Sequence, residues 1–351
     1  MSLSITVAGG LAIVYFLKPI LLPVSLAILL SCLLLPAVSF IRKQLRISQF
    51  ISALLVVVLL GLSGGYLGVL VVDHLADFSL NAPIDLSRLS SRISHNLTDV
   101  LRDYPKLDRL LPEPALVASF IERNAVLIFQ GLGDPATNIS RFVSQGILTL
   151  VLAIFFTVEQ PILEPRLALA LSQNSKDREF YEKLFRHLSR KMRHYLIVRA
   201  LINALFGLTV TLVLSIFGYQ HAGILGLFTG LANFVPYLGQ AVAGALLAML
   251  ALAQSGSLAD SLILTLTFIA LCIAEGYLVT PIVMGRTMDL NATTVLLSCL
   301  FWGFLWGVVG LFLATPIAAI LRLVLDQFDG GKKWASLMSM IPEATEIPDA
   351  S

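Results

Sequence analysis

The sequence predicts an all-α polytopic membrane protein of about seven or eight hydrophobic helical spans, including two re-entrant hairpins, plus an external amphipathic helical segment. Apolar residues make up 57% of the chain and charged residues 13%, whereas soluble domains carry about 25% charged residues. Several apolar runs reach the roughly 20 residues that a membrane-crossing helix needs. Two further apolar stretches are too long for one crossing and are interrupted near their middle, which predicts the hairpins.

The first predicted unit, residues 1–72, contains the N-terminal transmembrane helices. Its apolar run from 5 to 41 is interrupted at Pro19 and Pro23, which lack a backbone donor and predict two helices joined by a kink or tight turn. Residues 50–72 form the next span. Between the two runs lies a basic loop that the positive-inside rule places in the cytoplasm; it contains Arg42, Lys43 and Arg46.

A polar segment, residues 73–145, follows and is predicted to be extracytoplasmic. Its apolar residues recur at helical spacing, which predicts amphipathic helices lying on the membrane bundle. Residues 146–195 are predicted to form a transmembrane helix and a basic cytoplasmic helix that ends near Arg193. Because both basic loops fall on the same side, they predict one orientation for the whole chain.

Residues 196–326 form the predicted core, and 327–351 the C-terminal tail. A span is followed by a long interrupted apolar segment twice in this core: 196–217 precedes 222–253, and 260–281 precedes 292–325. With the basic loops inside, the first hairpin opens outward and the second opens to the cytoplasm, so the two units are predicted to be inverted copies. Inverted repeats with discontinuous helices are typical of secondary transporters, because half-helix ends present unpaired backbone dipoles to a solute.

Three stretches of this core form a recognisable pattern in their order and spacing. They are Asn233-Phe-Val-Pro-Tyr-Leu-Gly239; Glu275 with Pro281-Ile-Val-Met-Gly285; and Trp302-Gly-Phe-Leu-Trp306-Gly-Val-Val-Gly310 running to Ala314-Thr-Pro316. Together they resemble the autoinducer-2 exporter (AI-2E) family of bacterial transport-type membrane proteins. The chain departs from the family pattern at Gln240, where a proline is common, and at Gly276, where an asparagine is frequent. The resemblance implies export of a small solute such as autoinducer-2 by an elevator-like movement within a homo-oligomer, with sodium/proton exchange as the alternative.

Glu275 is the strongest functional candidate, because an ionised carboxylate inside an apolar run must be protonated, paired or facing water. The amides of Asn233 and Gln240 are able to bind a polar solute in a dry site. Predicted substrate- or ion-binding residues are Asn233, Pro236, Gly239, Gln240, Glu275, Trp302 and Trp306. Predicted hinge or packing residues are Pro281, Gly285, Gly303, Gly307, Gly310 and Pro316, since small residues let helices approach closely.

Two other function classes fit parts of the pattern. Ser63 in a glycine-rich span and His221 beside another span suggest an intramembrane serine hydrolase, although a third orienting group is not evident. A channel also uses broken helices, but its polar groups usually form rings along a pore. We therefore predict a transporter of the bacterial inner membrane and not an enzyme, with membrane lipids, a small polar solute, a coupling proton or sodium ion and a homo-oligomer as partners.

Neither a cofactor nor a nucleic-acid partner is expected. Cys32, Cys272 and Cys299 lie in apolar runs without the paired spacing of a metal site, and the formal net charge is only +2.

Overall fold

The computed structural model describes residues 13–81, 135–255, 257–284, 290–328 and 330–340, with the single positions 9, 95, 98, 102 and 116. Within these residues the chain forms helices and no strands. The helices are α1 Lys18–Leu45, α2 Gln49–Asn81, α3 Pro135–Leu171, α4 Ser175–Ile216, α5 Ala222–Ala232, α6 Leu238–Ser255, α7 Leu258–Ala274, a π-helix Glu275–Val279, α8 Thr280–Met284, α9 Ala292–Trp306, α10 Val308–Leu325 and α11 Lys332–Met338.

Six helices of the described chain are long and apolar enough to cross a membrane. Three shorter apolar helices, α5, most of α6 and α9, complete the hydrophobic set. The prediction of an all-helical polytopic membrane protein is therefore confirmed. Of the predicted external segment 73–145, residues 73–81 belong to α2 and 135–145 belong to α3, and nearly all of 82–134 lies outside the described residues.

Helices α1, α2 and α3 pack together through an apolar cluster that includes Leu34, Val38 and Ala53. The predicted break next to Pro19 is present, since Leu17 forms a turn before α1 begins. A proline in the first turn of a helix costs little because its missing N–H has no intrahelical partner there. The predicted break at Pro23 is wrong: Pro23 lies inside α1, where its buried ring packs within the bundle.

Helix α4 is 42 residues long, or about 63 Å at 1.5 Å per residue, so it extends well beyond a hydrocarbon layer of about 30 Å. The predicted basic cytoplasmic helix and the following span are thus parts of one continuous helix. Its N-terminus is capped by Asn174, whose side chain accepts a hydrogen bond from the backbone N–H of Asp177 at 2.9 Å. Arg178 and Glu182 stabilise the first turns as an i,i+4 ion pair.

Helices α5 and α6 form the first interrupted segment, broken between Ala232 and Leu238 as predicted. Helix α5 runs antiparallel to α4 at very short range: a Cβ added to Gly207 would lie 2.7 Å from the carbonyl oxygen of Gly226. Helix α6 in turn runs antiparallel to α7, where the Ser261 hydroxyl donates to the Ala248 carbonyl at 2.9 Å.

Helices α5 and α6 are the two arms of one hairpin, because the first residue of α5 and the later turns of α6 lie together. The start of α5 and the later turns of α6 meet α4 in the same apolar cluster, which contains Leu214, Ala222 and Ala251. The turn that connects α5 to α6 instead lies beside an earlier part of α4, where the Asn233 amide donates a hydrogen bond to Asn203. Whether this hairpin enters and leaves the bilayer on one face stays a prediction.

Helices α9 and α10 form the second hairpin and fold back at Gly307. The Ser298 hydroxyl donates to the Ala314 carbonyl across the hairpin at 2.8 Å. The arms approach closely because Gly303 faces Leu311 and a Cβ on Gly310 would overlap the Trp302 carbonyl. The predicted second interruption is confirmed, while the inverted relation between the two hairpins stays a prediction.

The C-terminal segment docks on the start of this second hairpin. The backbone N–H of Asn291 donates to the Met338 carbonyl at 2.9 Å, and its side-chain amide donates to the Leu337 carbonyl at 2.7 Å. Helix α11 is thereby attached to the N-terminus of α9.

Replacing Gly307 by alanine is expected to destabilise the protein by about 1–2 kcal/mol, because Gly307 has φ +67° and ψ −144°, a conformation that L side chains avoid. Thermal unfolding of the purified protein in detergent measures this cost. Gly64→Ala is the matched control, since a Cβ on Gly64 meets nothing within 4 Å. Equal melting temperatures for the two variants would contradict the strain.

Candidate functional site

A buried ion pair joins α4 to the π-helix. Nη1 of Arg199 donates to Oε1 of Glu275 at 3.0 Å, and the side chains are only 11% and 6% exposed. A buried charge is expensive unless it is paired and hydrogen-bonded. Of the three states that the sequence allowed for Glu275, the structure therefore has the paired one.

The π-helix places Glu275 in this position. It occupies Glu275–Val279 between α7 and α8, and the Thr280 backbone N–H bonds to the Glu275 carbonyl five residues earlier. The Thr280 hydroxyl also donates to Oε1 of Glu275 at 2.8 Å. Single-turn π-helices inside α-helices are rare, and those that occur are often found at functional sites. This distortion therefore marks the segment as a candidate functional site independently of the charge of Glu275.

The tip of the first hairpin contacts the same ion pair. The second terminal nitrogen of Arg199 donates to the backbone carbonyl of Asn233, which is fully buried. The Gln240 amide donates to Oδ1 of Asn233 at 2.8 Å and to Oε2 of Glu275 at 3.1 Å. The predicted residues Asn233, Gln240 and Glu275 are thus brought into one hydrogen-bonded cluster.

Tight backbone geometry shapes the hairpin tip. Tyr237 takes a positive φ of 62°, while Gly239 has an ordinary conformation but lies so close to α5 that a Cβ would overlap the Ala232 carbonyl. Pro236 lies in the turn between the arms, half-buried. Pro236 and Gly239 therefore lie in and beside the turn that carries the two amides, and their role in solute binding stays a prediction.

Asn203 extends the cluster along α4, one helical turn beyond Arg199. It is 1% exposed, and its Oδ1 accepts a hydrogen bond from Nδ2 of Asn233 at 3.0 Å. Its own Nδ2 is buried and has no hydrogen-bond partner. The cluster consists of Arg199, Asn203, Asn233, Gln240, Glu275 and Thr280, and we call it the tip cluster.

The side chains of the tip cluster are either neutral or paired with an opposite charge. The positive and the negative side chain neutralise each other; the Thr280 hydroxyl adds a second donor to Oε1 of Glu275, and the Gln240 amide donates to Oε2. In the described part of the chain, no group of three or more His, Cys, Asp or Glu side chains is arranged to hold a metal ion. Each hydrogen bond in such a low-dielectric surrounding is electrostatically stronger than in water.

The two predicted tryptophans lie in the second hairpin, within an apolar cluster with Leu22, Leu305 and Leu313. The Trp302 and Trp306 rings contact each other with centroids 4.7 Å apart. Nε1 of Trp306 points to the Val14 carbonyl at 3.4 Å. Trp306 therefore contacts the residues just before α1, and Trp302 also packs against the cluster that contains Val235 of the first hairpin tip. The role of both rings in solute binding stays a prediction.

The two hairpins nevertheless touch each other. Val235 of the first tip packs with Val295, Cys299 and Ala314 of the second hairpin, and the Phe234 and Phe312 rings stack with centroids 5.8 Å apart. Movement of one tip therefore repacks an apolar contact with the other hairpin.

The predicted hinge or packing residues fall at several places. Gly303, Gly307 and Gly310 shape the second hairpin as described above. Pro316 is buried inside α10, and Pro281 is exposed near the start of α8. Gly285 lies outside the described residues.

The serine hydrolase hypothesis concerns one residue of α2 and one residue of the turn before α5. Ser63 is exposed on α2, and its hydroxyl donates to the Leu60 carbonyl of its own helix at 3.0 Å. His221 precedes α5 with a positive φ of 58°.

Sequence reasoning missed Arg199, Asn203 and Thr280. A signal was present for Arg199, because it is a charged residue inside the apolar run 196–217, the same argument that singled out Glu275. The basic residues just before Arg199 obscure that signal, because they are explained as a topology signal for the cytoplasmic side. Asn203 carried the weaker signal of an amide in the same run.

Comparison with known proteins decides the family. The model of the AI-2E family transporters matches residues 3–330. The chain belongs to the AI-2E transporter family. The AI-2E resemblance drawn from residues 233–316 is therefore confirmed, and it extends over nearly the whole chain.

Three relatives of this AI-2E protein cover most of its length. A "Putative transport protein" of Haemophilus influenzae is 25% identical over 334 residues, 92% of this chain and 91% of the relative. The "AI-2 transport protein TqsA" of Escherichia coli K12 is 24% identical over 328 residues, 92% of this chain and 90% of the relative. The "Putative transport protein YrrI" of Bacillus subtilis is 26% identical over 325 residues, 89% and 87% respectively.

Family and fold together make this AI-2E protein a multi-pass membrane transport protein. A transporter family also agrees with the prediction that the chain is not an enzyme.

Proposed function

We propose that this AI-2E protein is a secondary transporter of the bacterial inner membrane, exporting a small polar solute like autoinducer-2 through the tip cluster. The observation that carries the proposal is the buried Arg199–Glu275 pair, bonded to the tip of a broken helix. Charged side chains inside transmembrane segments cost free energy, and in membrane proteins they mark transport pathways. One relative, TqsA, is named as an AI-2 transport protein, which supports this solute class.

The arrangement couples solute contact to movement of the hairpin. Because the Asn233 carbonyl accepts from Arg199 and the Gln240 amide donates to Glu275, displacement of the tip breaks hydrogen bonds to α4 and to the π-helix at once. A bound solute that forms new hydrogen bonds with these groups compensates for the broken ones. Without a solute, the groups at the displaced tip stay unpaired. This differential binding is what shifts a population between two states.

An elevator-like movement fits the separation of the apolar clusters. One cluster joins α1, α2 and α3, and another joins α4 to the first hairpin and α7. We propose that the first cluster is the static part and that the hairpins move against it within a homo-oligomer. Close glycine contacts such as Gly207 with Gly226 keep α4 and α5 together as one body, so that the tip beyond these contacts is the part displaced against Arg199.

Transport is tested with purified protein in proteoliposomes, using AI-2 as the probe solute. Wild-type protein is expected to give saturable, slow efflux, and Glu275→Gln is expected to reduce it at least tenfold because the tip loses its charged anchor. Elution as a single folded species on size exclusion checks that Glu275→Gln is folded. Glu159→Gln, at an exposed carboxylate of α3, is the control and should retain flux.

Two results would contradict this function. Normal ion-dependent flux in Glu275→Gln would remove the role of the carboxylate. A steep conductance that does not saturate would indicate a channel in place of a carrier.

Sodium/proton exchange is the second candidate, favoured by the buried Glu275 carboxylate itself, since a carboxylate binds either ion. A pH-sensitive dye inside the same vesicles distinguishes the two functions. Alkalinisation or acidification on adding sodium without AI-2 would favour exchange, and a dye signal that needs AI-2 would favour solute export.

A further inference from the structure

Four side chains of the tip cluster form a continuous chain of hydrogen bonds. Glu275 accepts from Gln240 at 3.1 Å, Gln240 donates to Asn233 at 2.8 Å, and Asn233 donates to Asn203 at 3.0 Å. The chain therefore runs from the π-helix, across both arms of the first hairpin, to α4.

The direction of every bond in this chain follows from its first member. A carboxylate is an acceptor only, so the Gln240 group that faces Glu275 must be its NH₂. The same NH₂ supplies the bond to Asn233, which must then present Oδ1 and turn its own NH₂ toward Asn203. Asn203 in turn presents Oδ1, and its NH₂ is left at the far end of the chain.

The structure shows that terminal donor without a partner. Nδ2 of Asn203 is buried, makes no hydrogen bond, and belongs to a side chain that is 1% exposed. Buried polar groups in proteins almost always have a partner, and an exception needs an explanation such as a functional role, a water or an ion. A hydroxyl or carbonyl oxygen satisfies an N–H donor, whereas an ammonium group repels it.

We propose that Asn203 is a specificity-determining residue whose Nδ2 donates to an acceptor oxygen of the transported solute, with its orientation set by Glu275 through Gln240 and Asn233. The inference rests on the proposed transport function and adds to it the atom that reads the solute. It also explains why a paired, fully hydrogen-bonded Glu275 acts without touching the solute: it determines which way the amides point.

The first readout is the side-chain amide signal of Asn203 in the full-length protein. The chain has eight asparagines, so selective ¹⁵N-asparagine labelling in lipid nanodiscs gives few signals, and Asn203→Ala identifies the one that is lost. Adding AI-2 is expected to shift the Asn203 signal saturably.

The second readout is transport kinetics of Asn203→Asp in proteoliposomes. The replacement has the same shape but presents an oxygen where the donor was, so we expect the half-saturating AI-2 concentration to rise tenfold or more. A purely structural role would instead lower the maximal rate or the melting temperature. Asn174→Asp is the matched control, since Asn174 is an exposed helix cap and aspartate caps equally well.

The outcomes separate this inference from the transport function. A shifted signal without AI-2 flux keeps the solute site and rejects transport of the probe. AI-2 flux with an unshifted signal and an unchanged half-saturating concentration rejects the role of Asn203, with a resident water as the partner of its N–H. Neither flux nor shift rejects both. If Asn203→Asp does not fold, the wild-type titration alone decides.

Discussion

Replacing Arg199 and Glu275 together by methionine is expected to restore the stability that either single replacement removes, without restoring transport. Each single change leaves one buried charge unpaired, which costs about 3–5 kcal/mol. The double change removes both charges and fills the space with flexible apolar side chains, which is often neutral or stabilising. The measurement is the melting temperature of the four proteins in detergent, alongside AI-2 flux.

The comparison separates folding from function at the same two residues. We expect the single variants to melt at least about 5 °C below wild type and the double variant to melt close to it. A double variant that is as unstable as the singles would show that the pair is not coupled. A stable double variant with wild-type flux would show that the ion pair has no part in transport.

Gly239→Ala is expected to abolish AI-2 flux and to destabilise the protein by about 1–3 kcal/mol, the usual cost of overpacking. The added methyl group would overlap the Ala232 carbonyl. That carbonyl is backbone, and the methyl group is attached directly to a backbone carbon, so neither can rotate out of the way. The tip must then open, which moves Asn233 and Gln240 away from Glu275. Flux in proteoliposomes and the melting temperature measure the two effects.

Gly223→Ala is the matched control for this prediction, because a Cβ on Gly223 of α5 meets nothing within 4 Å. Alanine is the better helix former by about 1 kcal/mol, so this variant should be at least as stable as wild type and should transport normally. Wild-type behaviour of Gly239→Ala would mean that the close approach of the two arms is not needed at the tip.

Much of the fold was predictable because a bilayer acts as a uniform apolar solvent. Long apolar runs between polar ones predicted the spans, and the breaks at 233–237 and at Gly307 followed from residues that interrupt helices. Pro23 shows where this local reasoning failed: neighbouring helices tolerate a proline inside a membrane helix, since packing and local adjustments compensate for the missing donor.

The candidate site was predictable only in part. Asn233, Gln240 and Glu275 were identified because polar groups in apolar surroundings need partners. Their partners were not identifiable, since Arg199 lies 76 positions from Glu275 and hydropathy carries no information on which helix faces meet. The π-helix was also unforeseen, because its five residues are as apolar as an ordinary helical turn apart from Glu275.

By itself, the sequence determined that this chain spans a membrane many times, that two of its apolar segments are broken, and that one carboxylate must be accommodated inside. Apolar composition and helix-breaking residues act locally. The free-energy cost of exposing a polar side chain or an unpaired backbone group to lipid is the same in any fold. Only the tertiary structure decided that Glu275 meets Arg199 and that a line of amides ends in an unpartnered donor at Asn203. Those contacts form because α4, the first hairpin and the π-helix pack closely together. That packing is created by side chains that are distant from one another in the sequence.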